Sequence, residues 1–180
     1  MRFQVLPQSG HALVDLRPIV AADIPVWFSY LTDPVVYEHT SWNVQSPQDL
    51  ADYVWSNSTR EPASLTRFAI ALRATDQFVG TAGFHTVAPH NRTAELAYDL
   101  APQYWGKGIA THVCGALTEW AHQSCGMLRV QATALRSNER SVKVLARCGF
   151  EREGLLRSYR MVRGSPGDFW LYSHVVPIAA

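Results

Sequence analysis

One run of the chain restricts its fold more than any other. "TAELAYDL" (residues 93–100) reads as a strand, "APQYWGKGIAT" (101–111) as a glycine-bearing loop and "HVCGALTEWAHQSC" (112–125) as a helix, and "LRVQATAL" (128–135) reads as a strand again. A strand, helix and strand joined this way form a crossover unit, which places two strands parallel and beside one another. The other strand-like runs are joined by short reversals that demand antiparallel pairing. "LTRFAIAL" (65–72), "QFVGTAGFHTV" (77–87) and "TAELAYDL" are separated only by Asp76-Gln77 and His90-Asn91-Arg92, so they form a meander. "FEREGLLRSYRMV" (150–162) and "DFWLYSHVV" (168–176) close on the turn "RGSPGD". The chain therefore predicts an α+β (mixed α/β) fold: about seven mostly antiparallel strands with one parallel crossover, and about four helices.

The remaining elements follow from periodicity. "HALVDLRP" sets Val14 and Leu16 against Leu13, Asp15 and Arg17 and stops at Pro18, as a first strand does. Asp23-Ile24-Pro25 starts a helix in which Val26, Trp27, Tyr30 and Leu31 share a face. Ser46 followed by Pro47 caps a second helix, "QDLADYVWSN", with Leu50, Tyr53 and Val54 spaced for burial. Ile109, Val113, Leu117, Trp120 and Ala121 make the inward stripe of the long central helix. Ser137 or Asn138 caps the last one, which Gly149 ends.

Size and charge narrow the function. At 180 residues, the chain is long enough for one domain, 1–180, with its own core. A net charge of +1 gives no reason to expect nucleic acid or a membrane surface as partner. The three cysteines lack metal spacing, and no run of about 18 apolar residues occurs. The expectation is a cytoplasmic protein without a metal.

The loop at 103–111 admits several readings. A phosphate-binding GxxxxGK loop requires Ser or Thr after the lysine, and here Gly108 follows Lys107. A dinucleotide fingerprint requires a third glycine where Thr111 stands. A bare strand-to-helix turn accounts for Gly106 and Gly108 without any ligand. A more general reading is an anion site, because two glycines entering a long helix present backbone N–H groups where the helix dipole is positive, and Lys107 adds charge.

The neighbouring motifs discriminate among these. "AYDLAPQYWGKGIAT", followed about thirty residues later by "NERSVKVLARCGF" (138–150), resembles the GNAT superfamily of acetyl-CoA-dependent N-acetyltransferases. The opening "LRPIVAAD" and the closing "FEREGLLR…FWLYSHV" resemble its RimJ/RimL-like branch, and the resemblance runs along essentially the whole chain. It implies that Gln103, Gly106 and Gly108 belong to a pyrophosphate loop that also involves Trp105, Lys107, Ile109, Ala110 and Thr111. It implies that the strand splays near Tyr98, Asp99 and Leu100 to grip pantetheine by its backbone. It further implies that Asn138 and Ser141 reach the cofactor, and that acetyl-CoA is the co-substrate. A homodimer is the assembly it suggests.

Acetyl transfer to an amine requires a proton acceptor, a donor to the carbonyl oxygen and a donor to the leaving thiolate. Many relatives place a tyrosine four residues before the Gly-Phe pair, but Leu145 stands here. Ser141 lies one helical turn earlier and is the catalytic donor the resemblance leaves. Glu95, Asp99, His85, His39 and Glu38 are the candidate bases, Glu95 first, with an unassisted amine as a further option. Cys148 reads as a structural thiol. Glu38, His39, Trp42, His85 and Tyr159 are the candidate acceptor contacts. Arg157, Arg160 and Arg163 stand close together, as a solvated edge or as an anion site. The acceptor is a primary amine: a protein N-terminus of the ribosomal-protein kind, or a small molecule such as a polyamine or aminoglycoside. A CoA-binding sensor without turnover is the reading from another class.

Overall fold

A computed structural model describes residues 6–54 and 66–176. Strand β1 (Val14–Pro18) leads to helices α1 (Ile24–Leu31) and α2 (Pro34–Tyr37), then to a 3-10 helix at Pro47–Tyr53. The meander follows as β2 (Thr66–Leu72), β3 (Phe78–Ala88) and β4 (Thr93–Leu100). The crossover helix α3 (Ile109–Gln123), β5 (Arg129–Leu135), α4 (Glu139–Arg147), β6 (Glu151–Val162) and β7 (Ser165–Val175) complete it. The sheet order is β1-β2-β3-β4-β5-β7-β6, with β4–β5 parallel and every other neighbouring pair antiparallel. This is the α+β fold the sequence predicts.

Alternation sorts the two faces. On β2, Phe68 and Ile70 point to the side covered by α3 and α4, and Ala69 points to the side covered by α1. One core joins Val14, Phe68 and Ile70 to Val113 and Leu117 of α3 and Leu145 of α4. The other packs Trp27 and Leu31 of α1 on Leu50 and Phe78. Both are dense in fully buried apolar side chains, each contributing about 1.5–3 kcal/mol on burial. Trp120, half-buried on α3, stacks on Phe84 and meets Phe68 edge-on, at centroid distances of 6.3 and 6.0 Å.

Several local expectations need correction. Val26 is 43% exposed, because α1 turns only Ile24, Trp27, Tyr30 and Leu31 inward. The element after Ser46 is a 3-10 helix, pinned by Asp49 accepting from the Gln45 and Ser46 amides, and residues 55–57 of the expected helix, like Leu65, lie outside the described residues. The β6–β7 turn is tighter than "RGSPGD" suggests. Arg163 and Gly164 alone make it, both at positive φ (51° and 79°), so Ser165 already begins β7.

The parallel pair positions everything that follows. β4 and β5 pair only from Thr93↔Arg129 to Glu95↔Gln131. Beyond that point β4 stays on β3 as far as Leu100↔Gly80, and β5 stays on β7 as far as Leu135↔Phe169. The two strands therefore part after Glu95, and their facing backbone groups lose their partners in the gap.

Candidate active site

Two cavities open on this gap. The first, about 330 Å³, lies between the α3 N-terminus and α4, with Tyr98, Asp99, Leu100 and Trp105 on its walls. The second, about 670 Å³, lies between the separated strands, with Leu96–Tyr98 on one side and Ala132–Leu135 on the other. His39, Thr40, Tyr98, Asn138 and Ser141 line both. The joint between the cavities is therefore built from the loop after α2, β4 and the first turn of α4.

At the first cavity, Gly106 and Gly108 have φ of 74° and 78°. A Cβ at Gly106 would touch nothing within 4 Å, so the glycine is there for its backbone conformation and not for space. Gly108 is the N-cap of α3, and no side chain caps that end. Helix geometry leaves its first amides, Gly108 to Thr111, without intrahelical acceptors at the positive end of the dipole. Meanwhile the loop's carbonyls are tied: His11 Nε2 lies 3.1 Å from Lys107 O, and His112 Nδ1 lies 3.0 Å from Gly108 O. Trp105 Nε1 donates to Leu100 O at 2.8 Å, locking the loop to the strand end.

Of the residues expected in this loop, Trp105, Gly106, Gly108, Ile109, Ala110 and Thr111 line the cavity. Gln103 and Lys107 are exposed and line neither cavity, and Lys107 Nζ sits 5.0 Å over the Tyr104 ring instead. The basic groups on the wall come from elsewhere. Arg140, Lys143 and Arg147 face the cavity from α4, and Arg140 lies 4.3 Å over the Trp105 ring. The i, i+3, i+7 spacing in "ERSVKVLAR" is the signal of this basic stripe in the sequence.

The joint is held by one asparagine. Asn138 Oδ1 accepts from the Ser141 amide at 3.0 Å, capping α4, and Nδ2 donates to His39 O at 2.9 Å, tying α4 to the N-terminal region. Tyr98 Oη donates to Ser141 O at 3.3 Å. Burial pushes the Tyr98 phenol well above its ordinary range, with Cys114 adding to the effect, so it stays protonated. Its side chain, and not only its backbone, thus borders both cavities. Nδ1 of His39 and Oγ1 of Thr40 are buried with no hydrogen-bond partner among the described residues. Trp27 Nε1, away from both cavities, is in the same state, which is uncommon for buried polar atoms.

The carboxylates have other employment. Glu95, 5% exposed, faces His85 Nε2 at 3.0 Å and accepts from Arg160 Nη2 and Thr133 Oγ1, each at 2.9 Å. Burial raises its pKa, but the hydrogen bond and charge of His85, the charge of Arg160 and the Thr133 hydroxyl outweigh that and bring it to about 2. A carboxyl so acidic is a poor proton acceptor at neutral pH, which weighs against Glu95 as base. Asp99 commits its carboxylate to a buried cluster with Arg67, Tyr30 and Thr81 Oγ1 (2.7 Å for the last). Burial and the Asp99 charge push the Tyr30 phenol well up. Sequence showed no sign of this cluster.

His39, Trp42 and His85 line the second cavity as expected. Glu38 and Tyr159 line neither, and Tyr159 is 41% exposed against the edge of Phe169. Of the three clustered arginines, Arg157 is exposed at the edge, and the other two are engaged. Arg160 serves Glu95, while Arg163 donates to the carbonyls of Tyr37, Glu38 and Thr40 (2.6, 3.4 and 3.0 Å) over the Tyr37 ring. Cys148 donates to Thr111 O at 3.2 Å, beside Cys114 and off both cavities. Among the described residues, no group of three or more His, Cys, Asp or Glu could hold a metal, and no helix is long and apolar enough to cross a membrane.

Residues 14–151 match the sequence model of the acetyltransferase (GNAT) domain. The chain belongs to the GNAT acetyltransferase family. This acetyltransferase is 30% identical over 162 residues to an uncharacterized N-acetyltransferase, p20, of Bacillus licheniformis, covering 88% of this chain and 90% of that one. It is 27% identical over 133 residues to the ribosomal-protein-serine acetyltransferase of Escherichia coli, covering 74% of each chain. Among solved structures, RimL, a ribosomal alpha-N-protein acetyltransferase in complex with coenzyme A, superimposes with a TM-score of 0.80 at 18% identity, over 93% of this acetyltransferase and 96% of RimL. A spermidine N-acetyltransferase from Vibrio cholerae superimposes with 0.74 at 18%, over 92% and 95%.

Proposed function

We propose that this N-acetyltransferase, acting as one domain, moves the acetyl group of acetyl-CoA onto the N-terminal amine of a protein by direct attack in a ternary complex. The observation that carries this reading is the meeting of two cavities at Ser141, Tyr98 and Asn138, where a nucleophile from one side can reach a thioester from the other. The first cavity suits CoA. Its glycine loop offers uncapped amides to the diphosphate, and Arg140, Lys143 and Arg147 supply the positive charge expected around phosphates. The unpaired backbone of β4 past Glu95 suits the amide-rich pantetheine arm. The second cavity, with Trp42, Phe169 and polar loop residues on its wall, suits an extended peptide end.

In this reading, the amine attacks the carbonyl carbon, the C–S bond breaks, and one proton passes from nitrogen toward the departing sulfur. Ser141 supplies the hydroxyl that meets the sulfur, and Leu145, 1% exposed, supplies only packing. His39, whose side chain borders both cavities, receives the amine's proton in this reading. Glu95 holds His85 and Arg160 in place.

The test mixes purified protein, acetyl-CoA and a panel of N-terminal peptides, polyamines and aminoglycosides, and follows thiol release. Peptide-dependent thiol supports the reading. Thiol released only with the small amines would reassign the acceptor. CoA binding without acceptor-dependent thiol from any compound would make the protein a sensor.

A further inference from the structure

The second cavity is lopsided in charge. Arg67, His85 and Arg160 reach its wall, and no Asp or Glu does among the described residues. The carboxylates that balance these cations, Glu95 and Asp99, are buried behind them and line no part of this cavity. Each pair thus presents its positive end inward. Arg160 is the accessible member, with its side chain 30% exposed. Its Nη2 is engaged by Glu95 and lies 3.4 Å from His85 Nε2, while Nε and Nη1 make no hydrogen bond among the described residues. A guanidinium held by Glu95 through Nη2, set 4.8 Å over the Tyr159 ring and 5.8 Å from the Phe169 ring, and bordering a cavity keeps N–H groups with which to receive a carboxylate. A polycationic acceptor entering the same space meets the guanidiniums of Arg67 and Arg160 and, among the described residues, no carboxylate on the wall.

Resting on the reading above that a protein N-terminus enters here, we infer that the preferred acceptor is an acidic one, with Asp or Glu in the first few positions after the reacting amine. Arg160 receives that side chain, while His85, with Nε2 on Glu95 and Nδ1 at 3.0 Å from Thr86 Oγ1, only borders the space. Arg160 is a specificity residue in this scheme and takes no part in the transfer itself. The geometry disfavours spermidine-like amines for the same reason that it favours acidic peptides.

The experiment compares pentapeptides that differ only at the second position, Ser-Asp, Ser-Asn and Ser-Lys, together with spermidine, by kcat/KM from thiol release. Aspartate should exceed asparagine by about tenfold, the weight of one charge-assisted hydrogen bond. Lysine and spermidine should fall below asparagine. In Arg160→Gln the aspartate-to-asparagine ratio should drop to about two or less. Because that ratio is taken within one enzyme preparation, partial unfolding of the variant cancels from it. Equal use of Asp and Asn peptides by the wild type, a ratio that survives Arg160→Gln, or spermidine as the better acceptor would each overturn the inference while leaving acetyl transfer standing. Absence of turnover with every peptide would instead overturn the protein-acceptor reading, and this inference with it.

Discussion

Replacing Glu95 with glutamine separates two roles a carboxylate here could hold. As a supporting ion it has a folded-state pKa of about 2 against an ordinary 4.5, a difference worth about 3 kcal/mol when fully expressed. Because the folded value lies below the unfolded one, that contribution is complete above pH 4.5 or so and is lost as the pH falls toward 2. Glutamine has nearly the same volume, so the packing of the site is kept while the charge between His85 and Arg160 is removed. Urea denaturation at pH 7 should show Glu95→Gln less stable by about 3 kcal/mol, a drop of roughly 6–12 °C in Tm for a chain of this length. At pH 4 the gap should narrow by about 1 kcal/mol, since the unfolded carboxyl is by then partly protonated. Turnover per folded molecule should stay within about an order of magnitude of the wild type. A catalytic base would behave in the opposite way, with stability nearly intact and kcat reduced about 10²- to 10⁴-fold. A deficit under about 1 kcal/mol at pH 7, or one that does not shrink at pH 4, would refute the supporting role.

Two further expectations concern the first cavity and the joint. Ser141→Ala should lower kcat by about tenfold or more while the CoA dissociation constant moves less than about threefold, read by steady-state kinetics and calorimetry; equal losses in both would make Ser141 a binding residue only. Gly106→Ala adds a methyl that meets no atom but strains a left-handed backbone by about 1–2 kcal/mol. Its CoA dissociation constant should rise about tenfold with a Tm change of only a few degrees, and unchanged affinity would remove the loop from the phosphate site.

What the sequence disclosed was local. Val14 and Leu16 alternate against charged neighbours, and Asn138 stands where a helix begins, so both were readable at short range. The crossover at residues 93–135 was legible because a parallel neighbour needs a long connection, and the chain supplies one. Pairings between distant residues left no such trace. Arg67 and Asp99 meet across 32 positions, and Arg163 reaches Glu38 across 125. No period links them, and only β-sheet register brings them together. Glu95 was legible as a residue of the site but not as an ion already satisfied, because Thr133 and Arg160 arrive from two other strands.

The hairpin of β6 and β7 supplies Arg160 and Phe169 to the larger cavity, and the smaller one takes nothing beyond Arg147. Mutations that accumulate in the last twenty-odd residues can therefore redraw what enters from one door while the furniture of the other room stays where it was. Descendants of such a chain are free to change clients without changing currency.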